Sequence, residues 1–240
     1  MKKFALICGA SGEIGTSIAK KLASAGWSLY LHYNKTSITQ LVNELSETYP
    51  SQEFHYVHAD LTEQGAAKKI ASQLFSLQAI VFANGQAYYE LLEDSSEKLM
   101  EDLWRVHMQN PMLLLGEISA KLRANGKAYV VFISSIWGTA GAAGESVYSA
   151  VKGAQQSFVK AYAKEVAYNG ILVNAIAPGF IDTKMNKNLS LDERMAILEE
   201  IPLQHPGSPE DIANAVDYLV SGRADYITGQ ILHINGGWYI

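Results

Sequence analysis

The chain has a single cysteine, Cys8, among 240 residues, so it can close no internal disulfide and suits a reducing compartment. It also lacks positive charge. Nineteen lysines and arginines face 24 aspartates and glutamates, a formal net charge of −5, and no basic run interrupts the balance. That argues against a nucleic-acid-binding surface. No stretch approaches the roughly 20 apolar residues a membrane span needs. Met1-Lys2-Lys3 followed by Phe4–Cys8 has the charged start of a signal peptide, but its apolar run is short and meets glycine at once. It reads better as a first β-strand. Linkers, internal repeats and low-complexity tracts are missing too. With 48% hydrophobic and 18% charged residues, the expectation is one soluble, cytoplasmic α/β domain over residues 1–240 with a large core.

The most informative stretch runs from Ser135 to Lys152. Before it, Tyr129-Val-Val-Phe-Ile-Ser134 is an apolar, β-branched run that reads as a buried strand. Ser135 therefore falls at a strand's carboxyl end, where open α/β sheets place ligands. Tyr148 and Lys152 are four apart at the start of a helical pattern and share one helix face. A free tyrosine, with a pKa near ~10, is a poor proton donor at neutral pH. A nearby ammonium favours the phenolate, lowers that value and makes the phenol a usable acid toward a carbonyl. The Ser135 hydroxyl can hold the same carbonyl oxygen. An incidental surface tyrosine and lysine would show the same spacing, but the serine and the N-terminal glycine loop turn the reading to catalysis.

Strand one runs into Cys8-Gly9-Ala10-Ser11-Gly12-Glu13-Ile14-Gly15, and a helix follows through Ala19, Leu22 and Ala23. Strand, glycine turn and helix form a nucleotide-binding βα unit, because glycines admit a pyrophosphate and the helix N-terminus favours its charge. Gly9, Ser11, Gly12, Ile14 and Gly15 are the candidate cradle. Strand two, Ser28 to Tyr33, leads into Asn34-Lys35 with no acidic residue for a ribose 2′-hydroxyl. Asn34 and Lys35 suit a 2′-phosphate, so the expected cofactor is NADPH in preference to NADH. His55 and His58 alternate along strand three with no third ligand, and no metal is expected.

On these motifs the chain resembles the short-chain dehydrogenase/reductase family over essentially its whole length. The resemblance implies one Rossmann-type, doubly wound parallel sheet of about seven strands with helices on both faces. It also implies hydride transfer from a nicotinamide to a carbonyl, with Tyr148 supplying the proton and Lys152 also holding the nicotinamide ribose. Glu13 stands where the family's signature has its middle glycine, and its carboxylate must point away from the phosphates. Ala59-Asp60-Leu61 resembles the family's Asp-hydrophobic pair beside the adenine, although Asp60 or Thr62 also reads as a helix N-cap. Phe82-Ala83-Asn84-Gly85 resembles the family's Asn-Asn-Ala-Gly, with the asparagine one residue late. A long helix is expected from about 97 to 123 with Pro111 inside it. Where the family places a relay asparagine in that helix this chain has His107, with Asn110 a second candidate. Pro178-Gly179-Phe180-Ile181-Asp182-Thr183 resembles the Pro-Gly loop whose Ile and Thr positions hold the nicotinamide carboxamide. Residues 184–206 follow as a substrate lid. Ser208-Pro209-Glu210-Asp211 then opens a helix, and Thr228–Trp238 resembles the family's last strand. Family members commonly form homotetramers, which the apolar Met112, Leu113 and Leu115 suit.

For the substrate, the sequence resembles 3-oxoacyl-acyl-carrier-protein reductases. Ser134–Gly138 and Gly153–Lys160 are more similar to the branch that reduces a 5-aminopentanone on a lysine of elongation factor P to 5-aminopentanol. Carrier-protein reductases tend to carry arginine where Asn169 stands. An aminopentanone's ammonium wants a carboxylate, and Glu145, near Tyr148, is the candidate partner, helped by Glu90 or Glu93. Glu145 also reads as a solvent-facing loop residue. Trp137 supplies an apolar wall or packs under its loop. A non-catalytic dinucleotide-binding sensor, suited by Glu13, His107 and Ala83, and a small-molecule ketone or sugar reductase are the other readings.

Overall fold

The computed structural model describes residues 2–86, 88–186 and 189–239. Runs of apolar, largely β-branched and aromatic residues form seven strands: β1 Lys3–Cys8, β2 Trp27–Tyr33, β3 Phe54–His58, β4 Ala79–Phe82, β5 Ala128–Ile133, β6 Ile171–Pro178 and β7 Ile231–Ile234. They make one parallel sheet in the order β3-β2-β1-β4-β5-β6-β7. The chain winds outward from β1 in one direction and from β4 in the other. The switch point therefore lies where Cys8 pairs with Phe82, at the carboxyl ends of β1 and β4, and ligand crevices of such sheets form there.

The helices are α1 Glu13–Ser24, α2 Thr39–Thr48, α3 Ala66–Ala71, α4 Glu97–Trp104, α5 Asn110–Arg123, α6 Trp137–Ala140, α7 Ser146–Val166, α8 Leu191–Glu200 and α9 Pro209–Val220. Strand periodicity of two sends alternate residues to opposite faces. Phe4, Leu6 and Cys8 pack with α3, α5 and α7, while Ala5 and Ile7 pack with α1, α2 and α9. Both faces are thus dry, as an all-parallel sheet requires. Cys8 is buried as a small hydrophobe, and burial pushes its thiol pKa far up, so it is inert packing. No described helix is long and apolar enough to cross a membrane.

Two expectations change. Asp60 does not cap a helix, because α3 starts at Ala66 behind Gly65; its carboxylate instead takes the Thr62 N–H and hydroxyl in a local turn. The single long helix over 97–123 is three pieces, with a π-helical turn at Arg105–Gln109 between α4 and α5. The cause is Pro111, which has no N–H to return to the His107 carbonyl four residues back. At the other end of the molecule, Ser208 and Asp211 form the expected capping box under Pro209.

Candidate active site

The glycine turn follows from close packing at the switch point. A Cβ on Gly9, whose φ is +81°, would lie 2.7 Å from the Asn84 backbone, and one on Gly15 would lie 2.1 Å from the Gly9 carbonyl. Neither position admits a side chain. Gly12 differs: it is the N-cap of α1, has ordinary backbone angles, and supplies no side-chain bond to the first turn. The first-turn N–H groups of α1 are thus left without a side-chain acceptor at the positive end of a helix, the arrangement that takes a phosphate. His32, buried in β2, braces the turn. Its Nδ1 accepts the Gly9 N–H at 3.1 Å, so the proton sits on Nε2, which faces the Ala59 carbonyl at 3.1 Å. Burial holds its pKa down to about 4, and it stays neutral.

Asn34, Lys35 and Asp60 converge at the ends of β2 and β3. Burial works to raise the Asp60 pKa, but the Thr62 bonds, the Asn34 amide and the Lys35 charge together hold it below the usual value. Leu61 is buried beside it. These are the sequence's candidates for the adenosine end, and the fold brings them together. His55 is half-exposed and His58 exposed on the strand face, and no cluster of metal-binding side chains occurs among the described residues.

On the other side of the switch point, α7 presents Tyr148 and Lys152 on one face, with the lysine Nζ 5.5 Å from the tyrosine ring centre. Lys152 is 3% exposed and donates to the Ile133 carbonyl at 2.9 Å. Burial lowers its pKa to about 7. Ser135, just past β5, is buried next to them, and its oxygen accepts the Trp137 N–H at 3.2 Å. The phenol is not acidified by these residues. Burial raises its pKa, the Glu145 carboxylate raises it further, and only the Ser135 hydroxyl acts the other way. The expected help from Lys152 is missing because burial makes its own ammonium unfavourable.

Two buried amides that sequence reasoning passed over position this set. Gln156 donates to the Ser135 carbonyl at 2.9 Å and accepts the Thr139 hydroxyl at 2.8 Å. Gln155 donates to the His107 carbonyl at 2.9 Å, the acceptor that Pro111 left free. Asn84 does the same for Val106, at 2.7 Å, because in the π turn the Asn110 N–H goes to Arg105. The signal was two consecutive glutamines at helix positions one turn past Lys152, on the face that turns inward. His107 is fully buried, stands edge-on to Tyr148 with ring centres 5.9 Å apart, and meets Gln86 through Nε2. Its Nδ1 has no partner among the described residues, and burial followed by the Lys152 charge keeps its pKa well below normal. The Asn110 amide donates to the Leu61 and Glu63 carbonyls.

The Pro178-Gly179 turn leaves β6 with Gly179 pressed against Asn235. Ile181 is buried in the core and Thr183 is half-buried where the lid begins. In the lid only α8 is regular over any length, capped by Ser190 and Glu193, and none of its residues is buried; residues 187 and 188 of the predicted 184–206 lie outside the described residues. Glu145, half-buried at the start of α7, has its pKa raised by burial and is close enough to act on Tyr148. The Glu90 N–H binds the Gly144 carbonyl at 2.6 Å, which sets that segment beside Glu145, whereas Glu93 is exposed on its own short turn. Gly85 keeps its strand-end place, and a Cβ there would press on the His107 ring at 3.0 Å. Trp137 packs edge-on against Trp238 and Tyr239, with ring centres at 5.1 and 5.5 Å, and so forms a wall with the C-terminal segment.

Residues 9–239 match the family model described as Enoyl-(Acyl carrier protein) reductase. The chain is 40% identical to the uncharacterized oxidoreductase YmfI of Bacillus subtilis, with both chains fully covered. It is 33% identical to the 3-oxoacyl-[acyl-carrier-protein] reductase FabG of Staphylococcus epidermidis, again over the whole of both. Among solved structures it is similar to a protein put forward as a 2-deoxy-D-gluconate 3-dehydrogenase of Agrobacterium tumefaciens, with bound NADP, at a TM-score of 0.90 and 29% identity, covering 98% of this chain and 96% of that one.

Proposed function

The chain is an oxidoreductase of the short-chain dehydrogenase/reductase family, and on that premise we propose that it is an NADPH-dependent carbonyl reductase whose substrate is the 5-aminopentanone group on a modified lysine of elongation factor P. The observation that carries the substrate reading is the Glu145 carboxylate, half-buried and close enough to Tyr148 to raise the phenol's pKa. A carboxylate so placed is a cost for general-acid catalysis unless it meets a cation, and a primary ammonium on the ketone is such a cation. The relative at 40% identity lies outside the named carrier-protein reductases, which match at 33–34%. Asn169 in place of arginine favours the amino ketone over the second reading, a 3-oxoacyl-acyl-carrier-protein reductase, which the carrier-protein relatives support.

In this reading the glycine turn, with Gly9, Ser11, Gly12, Ile14 and Gly15, holds the pyrophosphate on α1. Asn34 and Lys35 take the 2′-phosphate, Asp60 and Leu61 flank the adenine, and Asn84 and Gly85 line the switch point. Pro178, Gly179, Ile181 and Thr183 face the nicotinamide end, with Lys152 on its ribose. The chemistry NADPH supplies when bound is a hydride. Ser135 steadies the carbonyl oxygen and Tyr148 gives it a proton. His107, neutral and with its ring 5.9 Å from that of Tyr148, then passes a proton onward. The half-exposed edge strand β7 and the exposed Leu113 on α5 suit packing into a homotetramer.

Two substitutions test the proposal. Tyr148→Phe abolishes turnover and leaves NADPH affinity intact; surviving turnover refutes the proton donor. Glu145→Gln raises KM for an amino ketone and leaves KM for its neutral analogue unchanged. Equal KM values for both ketones in both proteins refute the ammonium pairing and return the substrate to the carrier-protein reading.

A further inference from the structure

Glu13 occupies a position that the phosphate loop has no need to fill, and its carboxylate is turned away from that loop. Its Oε2 accepts the backbone N–H of Lys184 at 2.5 Å, a bond spanning 171 residues of sequence. Lys184 directly follows the Pro178–Thr183 segment and begins the lid. The lid has a buried anchor at its far end, Ile201, and little at its near end. Its helix α8 buries none of its residues, and the Asp182–Arg194 and Ile181–Asn186 contacts are internal to the same stretch. At the far end, the Leu203 N–H binds the Gly236 carbonyl and Glu200 takes the Trp238 indole N–H. At the near end, among the described residues, the Glu13 bond is the tie between lid and glycine turn. A helix with no buried side chains opens easily, so at the near end a single charge-assisted bond weighs on where the segment sits.

We propose that Glu13 is a positioning residue that fastens the Pro178–Lys184 segment to the start of α1, fixing the spacing of the two walls of the nucleotide cleft and slowing nucleotide release. The proposal rests on the dinucleotide-binding reading given above. The first turn of α1 favours a carboxylate at this position through the helix dipole, so the residue is at ease there while bonded away from the phosphate site.

The alternative role has the opposite sign. If Glu13 only repels phosphate, removing its charge tightens NADPH and slows its departure. If it fastens the lid, removal loosens the cleft. NADPH release followed by stopped-flow fluorescence, together with amide exchange at Lys184 in the protein alone, separates the two. Glu13→Ala is expected to release NADPH about 10-fold faster, the change for losing a charge-assisted bond. Glu13→Gln, whose amide oxygen still accepts, is expected to be intermediate, at about 3-fold. Lys184 exchange quickens in the same order. Release that is unchanged or slower in Glu13→Ala, or Lys184 exchange equal to wild type, overturns the proposal. If wild type binds no NADPH, the nucleotide reading fails, and Lys184 exchange alone decides whether the fastening exists.

Discussion

Replacing Lys152 with methionine should leave a protein that is harder to unfold and unable to reduce its substrate. Lys152 is buried, and its pKa falls from 10.5 to about 7. Between those values the unfolded chain holds a proton that the folded chain gives up, so wild-type stability rises with pH across that window. At 1.36 kcal/mol for each pH unit, the buried lysine costs about 5 kcal/mol at pH 7. Methionine keeps the length and bulk without the charge, but it strips the Ile133 carbonyl of its donor. An orphaned buried acceptor costs about 1–3 kcal/mol. The net gain is about 3 kcal/mol at pH 7, shrinking with alkalinity and vanishing near pH 9. Urea unfolding of both proteins at pH 7, 8 and 9, at one protein concentration, measures it. A methionine variant less stable than wild type at pH 7, or a difference that does not fall with pH, refutes the reasoning.

Two further outcomes follow from the buried amide and imidazole. Gln156→Leu keeps the volume but frees the Ser135 carbonyl and the Thr139 hydroxyl; kcat should fall about 10- to 100-fold, the equivalent of one buried bond, with NADPH affinity unchanged and Gln156→Glu failing to restore it. Loss of NADPH affinity in equal measure would show a general structural role. His32 has a pKa of about 4 when folded against 6.5 unfolded, so its contribution is present above pH 6.5 and is lost as pH falls toward 4, about 3 kcal/mol in all. An NMR titration that protonates His32 above pH 6 would contradict this.

The sheet was legible because burial on both faces writes continuous apolar strands, and the crossover helices between them show by their period rather than by caps. Ser135, Tyr148 and Lys152 were legible because two spacings, one across a strand end and one along a helix, bring them together. Electrostatics were not. Four residues between tyrosine and lysine say that they share a face, but not that the face is dry enough to take the ammonium's pKa to about 7 and the phenol's upward. Nor does a glutamate in a glycine loop say what it binds when the donor lies 171 residues away. Glu13 was legible as a departure and illegible as a contact.

The remaining departures form one set with one cause. Pro111 removes an N–H, which frees the His107 carbonyl. The turn widens to send the Asn110 N–H to Arg105, and that frees the Val106 carbonyl as well. Two bare carbonyls in a dry interior would cost several kcal/mol. Gln155 from α7 takes one, and Asn84 from the end of β4 takes the other. The asparagine that stands one residue late, and the glutamine in the buried face of the tyrosine helix, are therefore paired answers to the same proline. The consequence is mechanical: the widened turn, stapled from both sides, sets the His107 ring beside Tyr148. Substituting either staple should move that ring, whereas restoring an N–H with Pro111→Ala removes the need for both.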